Sequence, residues 1–230
     1  MKLYVIGLGP GDPELVTVKA KKIIENCRLI FVPSMKSDFS SRAYLAALPY
    51  ISKSTSMVPL FFPYFSDPEL EKTLASNVHH IISGLQQYKK AAFLVIGDPS
   101  LYSTYFQIHH ILQKDFPEVD IEITPGLSAF QLALSRLQIS ALGKTQTLSV
   151  VAGGTNQECI SALLAMNDTV VIYKMNQLPN LAEIEAVTQG YAVRKICSEL
   201  GTSRETIQDL NPESISHQYG YFSLMILKKH

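Results

Sequence analysis

Val5-Ile6-Gly7-Leu8-Gly9-Pro10-Gly11-Asp12-Pro13 decides the fold, because a second glycine-acid loop, Ile96-Gly97-Asp98-Pro99, follows another apolar run further along the chain. Glycine lets backbone pass close to a ligand, and a loop leaving the carboxyl end of a strand lies where α/β sheets hold their substrates. Two such loops point to one small-molecule site. A dinucleotide fold is the first idea that the glycines suggest, and the neighbouring residues argue against it. Its fingerprint needs a third glycine where Asp12 stands and a helix that starts at once, whereas Pro13 and Glu14 intervene. It also needs an acid at the end of the second strand for a ribose, and Leu29-Ile30-Phe31-Val32-Pro33 has none. A purely structural strand turn stays open at this point.

Working outward, the 230 residues suit two small lobes or one large α/β domain, and a hydrophobic content of 47% is enough to build real cores. Charged residues make up 17%, below the usual share of about a quarter, and the formal net charge is zero. That profile argues against nucleic-acid binding. No apolar run approaches the roughly 18 residues of a membrane span, and the N-terminal apolar stretch breaks at Gly7, too early for a signal peptide. The expectation is a cytoplasmic protein without membrane contact. Cys27, Cys159 and Cys197 are odd in number and lack any C-x-x-C pair, so the reading is reduced, mostly buried thiols and no metal site.

The N-terminal half alternates strand and helix signals. An apolar strand at 3–6, a helix over 16–26 with Thr17 as cap, and a strand at 28–32 make a βαβ unit. A polar loop over 34–41 leads to a short helix at 42–48. After a Pro- and aromatic-rich segment at 58–64, Asp67 opens a long helix over 68–87. A core strand at 91–96 delivers the second glycine loop, followed by a helix at 105–114 and a strand at 120–123. Thr124-Pro125-Gly126-Leu127-Ser128-Ala129 then breaks the pattern and starts a helix through Leu137. Beyond about residue 140, strands at 147–151, 169–173, 194–197 and 221–227 with helices between them read as a second α/β lobe. The lobes are set at 1–123 and 124–230. The Gly153-Gly154-Thr155 turn before a helix could hold a phosphate, and more often simply changes direction.

Residues that usually carry chemistry are scarce. His79-His80 and His109-His110 are helix neighbours pointing about 100 degrees apart, so neither pair clamps one metal from a single face. Gly126-Leu127-Ser128-Ala129-Phe130 lacks the second glycine of a nucleophile elbow, and Gly143-Lys144-Thr145 lacks a glycine-rich lead. What remains is three loops, at 7–13, 96–104 and 124–129, rich in Gly, Pro, Ser, Thr and Asp. Backbone amides with one carboxylate suit a ligand that brings its own activation, such as a nucleoside with an amino-acid tail. S-adenosylmethionine is a ligand of that kind.

At this point the chain resembles a family. Gly7-Leu8-Gly9-Pro10-Gly11-Asp12-Pro13-Glu14-Leu15-Val16-Thr17-Val18-Lys19-Ala20 resembles the N-terminal signature of the tetrapyrrole methylases, the class III methyltransferases of corrin and sirohaem synthesis. Gly97-Asp98-Pro99-Ser100-Leu101-Tyr102-Ser103-Thr104-Tyr105 is similar to the loop of the precorrin-2 C(20)-methyltransferase branch and its cobalt-factor II counterparts. Pro125-Gly126-Leu127-Ser128-Ala129-Phe130 resembles the family's P-G-[IL]-S-[SA]-F turn, and the residues from Tyr221 to Lys229 its closing strand. Two departures concern the substrate pocket: the stretch from Leu137 to Gln146 lacks the family's acids, and Tyr64 stands where relatives often carry methionine.

The resemblance implies a class III methyltransferase-like α/β fold of two lobes, with S-adenosylmethionine in the cleft between them, and a homodimer. It implies that Gly9 and Pro10 border the cofactor, that Gly97, Asp98, Leu101, Ser103 and Thr104 wrap it, that Ser128 and Ala129 close on it, and that Tyr173, Lys174 and Met175 contact its adenosyl part. The implied reaction moves the sulfonium methyl to the meso C(20) carbon of precorrin-2 or cobalt-factor II in cobalamin biosynthesis. Ser34, Lys36, Arg42 and Lys144 are nominated for the substrate's carboxylates, against the plainer reading of solvated loop residues. Tyr102 is the catalytic candidate, able to orient the macrocycle or accept its proton through a water, with loop packing as its competing role. Other acceptors, such as another tetrapyrrole, ribosomal RNA or a diphthamide precursor, and a relative that binds without turnover stay open as alternatives.

Overall fold

The computed structural model describes residues 1–35, 41–63 and 67–230. The chain divides into two compact units, Met1–Ser128 and Ala129–His230. Each carries its own five-stranded sheet, so the α/β class read from the sequence is the class observed.

In the first unit the strands are β1 (Lys2–Gly7), β2 (Leu29–Ser34), β3 (Ser56–Phe61), β4 (Lys90–Val95) and β5 (Asp120–Thr124). The helices between them are α1 (Val18–Asn26), α2 (Arg42–Ala47), α3 (Leu70–Tyr88) and α4 (Phe106–Asp115). Every pairing is parallel, in the order β3-β2-β4-β1-β5. The reason lies in side-chain alternation. Leu3 and Val5 of β1, Leu29 and Phe31 of β2, and Ala91, Phe93 and Val95 of β4 enter one core with Val78, Ile81 and Leu85 of α3 and Leu112 of α4. Their neighbours Ile6, Ile30, Val32, Ala92 and Leu94 enter another with Ala20 and Ile24 of α1 and Ala43, Ala46 and Ala47 of α2. A strand buried on both faces reads as a continuous apolar run, which is what the sequence shows.

Local chemistry sets the helix starts. Thr17 Oγ1 accepts the Ala20 amide at 3.1 Å, so α1 begins at Val18 and not at Val16, where the apolar pattern alone would start it. Pro13–Leu15 form a separate 3-10 turn. Ser41 Oγ does the same for α2 by accepting the Tyr44 amide at 3.2 Å.

The strand β3 falls partly within the Pro- and aromatic-rich segment at 58–64, to which the sequence reading assigns no element. Among the described residues the strand lies at the sheet edge and pairs with β2 alone, Val32 facing Pro59. The Ser56 and Phe62 amides donate to Arg28 and Ser34. Alternate residues of a strand face the same way, so the proline nitrogen falls on the open side, where no ladder bond is lost.

The second unit holds α5 (Ala129–Leu137), β6 (Leu148–Ala152), α6 (Gln157–Met166), β7 (Thr169–Tyr173), α7 (Leu181–Val187), β8 (Val193–Ser198), β9 (Thr206–Asp209) and β10 (Ser223–Lys228). Its sheet runs β6-β7-β10-β8-β9, parallel only between β6 and β7. The short β9 carries no apolar alternation and is absent from the sequence reading. Ile160, Leu164 and Ile184 of α6 and α7 pack on Val170, Ile172, Ile196, Met225 and Leu227. On the flank, Arg194 Nη2 donates at 2.7 Å to the buried carboxylate of Glu185. Among the described residues no helix is long and apolar enough to cross a membrane.

Candidate functional site

Strand order in the first unit creates the site. β1 and β4 are neighbours, but β1 leads to α1 on one face and β4 leads to α4 on the opposite face. Connections that part in opposite directions leave a crevice at the carboxyl ends, the topological switch point where α/β sheets take ligands. Both glycine loops fall there, and β5, on the other side of β1, brings the 124–128 turn to the same edge.

The three loops are fastened by backbone. The Gly97 amide donates to Gly9 O at 2.7 Å and the Gly9 amide to Gly97 O at 3.3 Å. A Cβ on Gly7 would stand 2.5 Å from the Gly126 nitrogen and 2.7 Å from Pro99 Cδ, so only glycine permits the crossing. Gly97 differs: its φ of 76° needs glycine, yet a Cβ there would meet nothing within 4 Å, which leaves open space beside the backbone. Gly9 and Pro10 are buried at the root of the first loop.

Several polar side chains are already engaged within the fold. Asp98 Oδ1 accepts the Ser100 amide at 2.8 Å and the Ser100 hydroxyl, while Oδ2 accepts the Gly126 amide at 3.0 Å. Ser103 Oγ accepts the Tyr105 amide at 3.1 Å, and Thr104 O accepts the Gln107 amide, so both shape the entry to α4. Leu101 is half-buried, its amide closing a turn onto Asp98 O at 3.2 Å. Ser128 is 5% exposed. Tyr102 carries a φ of 53°, a left-handed conformation that a side chain disfavours, and is 42% exposed. Partial burial raises the pKa of its phenol.

The sequence gives no sign of one further group. Thr124, 1% exposed at the end of β5, has a buried hydroxyl without a hydrogen-bond partner. Such a group marks a place where a ligand or water completes the bonding. Nothing distinguishes this threonine from an ordinary strand residue until its register beside Ile6 is known.

Ser34, at the carboxyl end of β2, and Arg42, the first residue of α2, belong to the same edge of the first sheet. Lys36 and Tyr64 lie outside the described residues. Lys144 belongs to the second unit, in the loop that enters β6 at its amino end. Tyr173 closes β7, which runs parallel to β6, so Lys144 is at the opposite end of that sheet from Tyr173, Lys174 and Met175.

At the carboxyl end of β7, the Tyr173 hydroxyl accepts the Phe130 amide at 3.0 Å, tying the strand to the first turn of α5, which Ala129 begins. Lys174 has a φ of 57°, gives its amide to Ser223 O at 2.9 Å and lays its ammonium 5.1 Å from the centre of the Tyr221 ring. Met175 is 4% exposed. The Gly153 amide donates to Tyr173 O at 2.6 Å, so the Gly153-Gly154-Thr155 turn is braced against this strand end.

Among the described residues no group of three His, Cys, Asp or Glu side chains is gathered as a metal site. His109 Nδ1 is 2.7 Å from the Tyr105 hydroxyl, and burial followed by the charge of His110 lowers its pKa. Cys27 and Cys197 are buried, their thiols pushed up to about 11 and about 12 by desolvation, whereas Cys159 is exposed.

With this geometry in hand, comparison with known proteins gives a consistent result. The family model for tetrapyrrole (corrin/porphyrin) methylases matches residues 2–211. A precorrin-2 C(20)-methyltransferase of a Sinorhizobium species is 26% identical over 98% of this chain and 94% of its own. A cobalt-precorrin-2 C(20)-methyltransferase of Salmonella typhimurium is 25% identical over 76% of this chain and 73% of its own. Among solved structures, the cobalamin synthesis related protein CobF of Corynebacterium diphtheriae superposes with a TM-score of 0.75 at 20% identity, over 100% of this chain and 99% of that one. The uroporphyrin-III C-methyltransferase of Thermus thermophilus, crystallised with S-adenosylhomocysteine, gives 0.66 at 16% identity, over 100% and 98%.

Proposed function

The chain belongs to the tetrapyrrole (corrin/porphyrin) methylases, and from that premise we propose that it methylates the meso C(20) carbon of precorrin-2 or its cobalt-loaded form in cobalamin biosynthesis, with S-adenosylmethionine as donor. The observation that carries this reading is the meeting of the 7–13, 96–104 and 124–128 loops at the switch point of the first sheet. The C(20)-methyltransferase names of the two relatives support the choice of carbon.

The loops fit such a donor in two respects. Gly97 leaves open space beside a left-handed backbone, and the orphaned Thr124 hydroxyl offers an unspent donor and acceptor. In the first unit, Gly9, Pro10, Gly97, Leu101, Ser103, Thr104 and Ser128 would hold it. In the second unit the corresponding residues are Ala129, Tyr173, Lys174 and Met175. Bound S-adenosylmethionine supplies an activated methyl, so transfer to an electron-rich carbon needs alignment at about 3 to 3.5 Å and no strong base or metal.

The chain's own residues then have three tasks. The glycine crossing keeps the loops rigid, so that the reacting atoms are not free to drift. Ser34, Lys36 and Arg42 would meet the carboxylates of the macrocycle, whereas Lys144, at the far end of the second sheet from Tyr173, is left out of that set. Tyr102 would orient the ring or take up the departing ring proton through a water. A homodimer and a cytoplasmic setting belong to the same reading and rest on the family likeness.

The deciding experiment is mass spectrometry of precorrin-2, with and without cobalt, after anaerobic incubation with the protein and S-adenosylmethionine. We expect a product one methyl heavier in at least one metal state. No product from either, with S-adenosylhomocysteine still binding in a parallel titration, would discard the substrate and keep the donor. Turnover retained in Tyr102→Phe would remove the proton role.

A further inference from the structure

Asp98 is the one carboxylate in the three loops around the switch point whose oxygens join two of them. Oδ1 is taken by the amide and hydroxyl of Ser100, two residues on in the same loop. Oδ2 is taken at 3.0 Å by the amide of Gly126, 28 positions away on the turn after β5. The Leu101 amide adds a backbone turn onto Asp98 O at 3.2 Å. Charge-assisted bonds to backbone amides are the stronger kind, and three of the roughly four acceptor positions of the Asp98 carboxylate are spent inside the fold.

What stands on either side of this knot gives it a purpose. Gly97, immediately before, and Tyr102, four residues after, both hold left-handed backbone, at φ of 76° and 53°. For glycine this costs nothing, but for tyrosine it persists only where the surroundings over-determine it. The Asp98 turn is the device that over-determines it, since it fixes the chain from 98 to 101 on one side and anchors it to Gly126 on the other. Gly126 in turn is packed against the backbone of Gly7 and Gly97 too closely for a side chain.

We propose that Asp98 is a positioning residue for methyl transfer: it locks the loop after β4 to the turn after β5, so presenting Gly97 and Tyr102, and holds neither donor nor acceptor. The proposal rests on the methyltransferase reading above and reassigns this residue within it. A ligand could reach only the acceptor position that Oδ2 has left after taking the Gly126 amide.

The test compares Asp98→Asn and Ser100→Ala with wild type. Asparagine keeps the shape and one acceptor but can no longer serve both loops. We expect D98N to melt as a folded protein, to bind S-adenosylhomocysteine within about threefold of wild type by calorimetry, and to lose about 100-fold in kcat, the scale of a misplacement of about 1 Å. S100A should lose less, in kcat again. By amide exchange in NMR, the Gly126 proton should exchange faster in D98N. A Kd that weakens by the same factor as kcat/KM would make Asp98 a ligand and overturn the proposal, as would an unchanged kcat. If wild type methylates no tetrapyrrole, the substrate reading fails by itself. Asp98 is then judged on homocysteine-analogue affinity and Gly126 exchange alone, where unchanged exchange or lost affinity counts against it.

Discussion

The two ends of the first sheet are held by different physics. At the carboxyl end, Gly7, Gly9, Gly97 and Gly126 let backbone cross backbone, one tyrosine sits in left-handed conformation, and the fastening bonds run between amides and carbonyls or one carboxylate. Toward the amino end, Lys2 pairs with Asp120 at 3.1 Å and Glu122 at 2.8 Å, and Lys19 reaches the same Glu122 at 2.7 Å. The first arrangement admits almost no substitution. The second uses solvated charges, which contribute little each and can be exchanged. Precision has been concentrated where a ligand would be handled, and ordinary surface chemistry suffices elsewhere.

The strongest challenge to this division is a charge that is not solvated. Glu185 is 7% exposed and pairs with Arg194, whose Nε is buried without a partner, so Glu185→Ala should cost about 3–5 kcal/mol in urea unfolding by leaving an uncompensated buried charge. A loss near zero would mean that burial does not set the worth of charges in this protein. Next in size is Gly7→Ala, where the added methyl meets immobile backbone; we expect about 3 kcal/mol of lost stability together with weakened S-adenosylhomocysteine binding. Normal binding in that variant would show that the crossing is packing only. Tyr102→Gly should change stability by less than about 1 kcal/mol, because relief of the left-handed strain offsets the entropy of glycine, while turnover falls at least tenfold. Equal turnover would relocate the site away from this loop.

The smallest effect belongs to the amino end. Lys19 and Lys2 hold the Glu122 carboxyl down at about 2, from an ordinary 4.5. A lowered carboxyl pKa contributes stability that is present above 4.5 and is lost as pH falls through about 2. Urea midpoints for Glu122→Gln should therefore lie close to wild type at neutral pH in high salt and decline less steeply between those two values. A parallel decline in both proteins would show that the pair does not bias folding.

Much of this was legible in the residues. The run Leu3–Ile6 and the run Ala91–Ile96 are apolar throughout because both faces of a parallel strand are covered, and their glycine loops marked the switch point before any strand order was known. The 58–64 segment was not legible, because proline argues against a strand unless its edge position is known, and that position is a property of the whole sheet. Nor could spacing show that Asp98 reaches Gly126, that the Ser103 hydroxyl is engaged in the entry to α4, or that Lys144 enters β6 at the end remote from Tyr173. Each depends on which loops the sheet order brings side by side.

Pro59 carries a consequence for life in a concentrated solution. Among the described residues no strand pairs with the outer side of β3, and such an edge is the kind onto which a stray strand can dock and from which aggregates grow. With its nitrogen on that side and no hydrogen to give, Pro59 removes a rung from the middle of the would-be ladder. Replacing it with valine would leave the native sheet intact and turn its rim into a template.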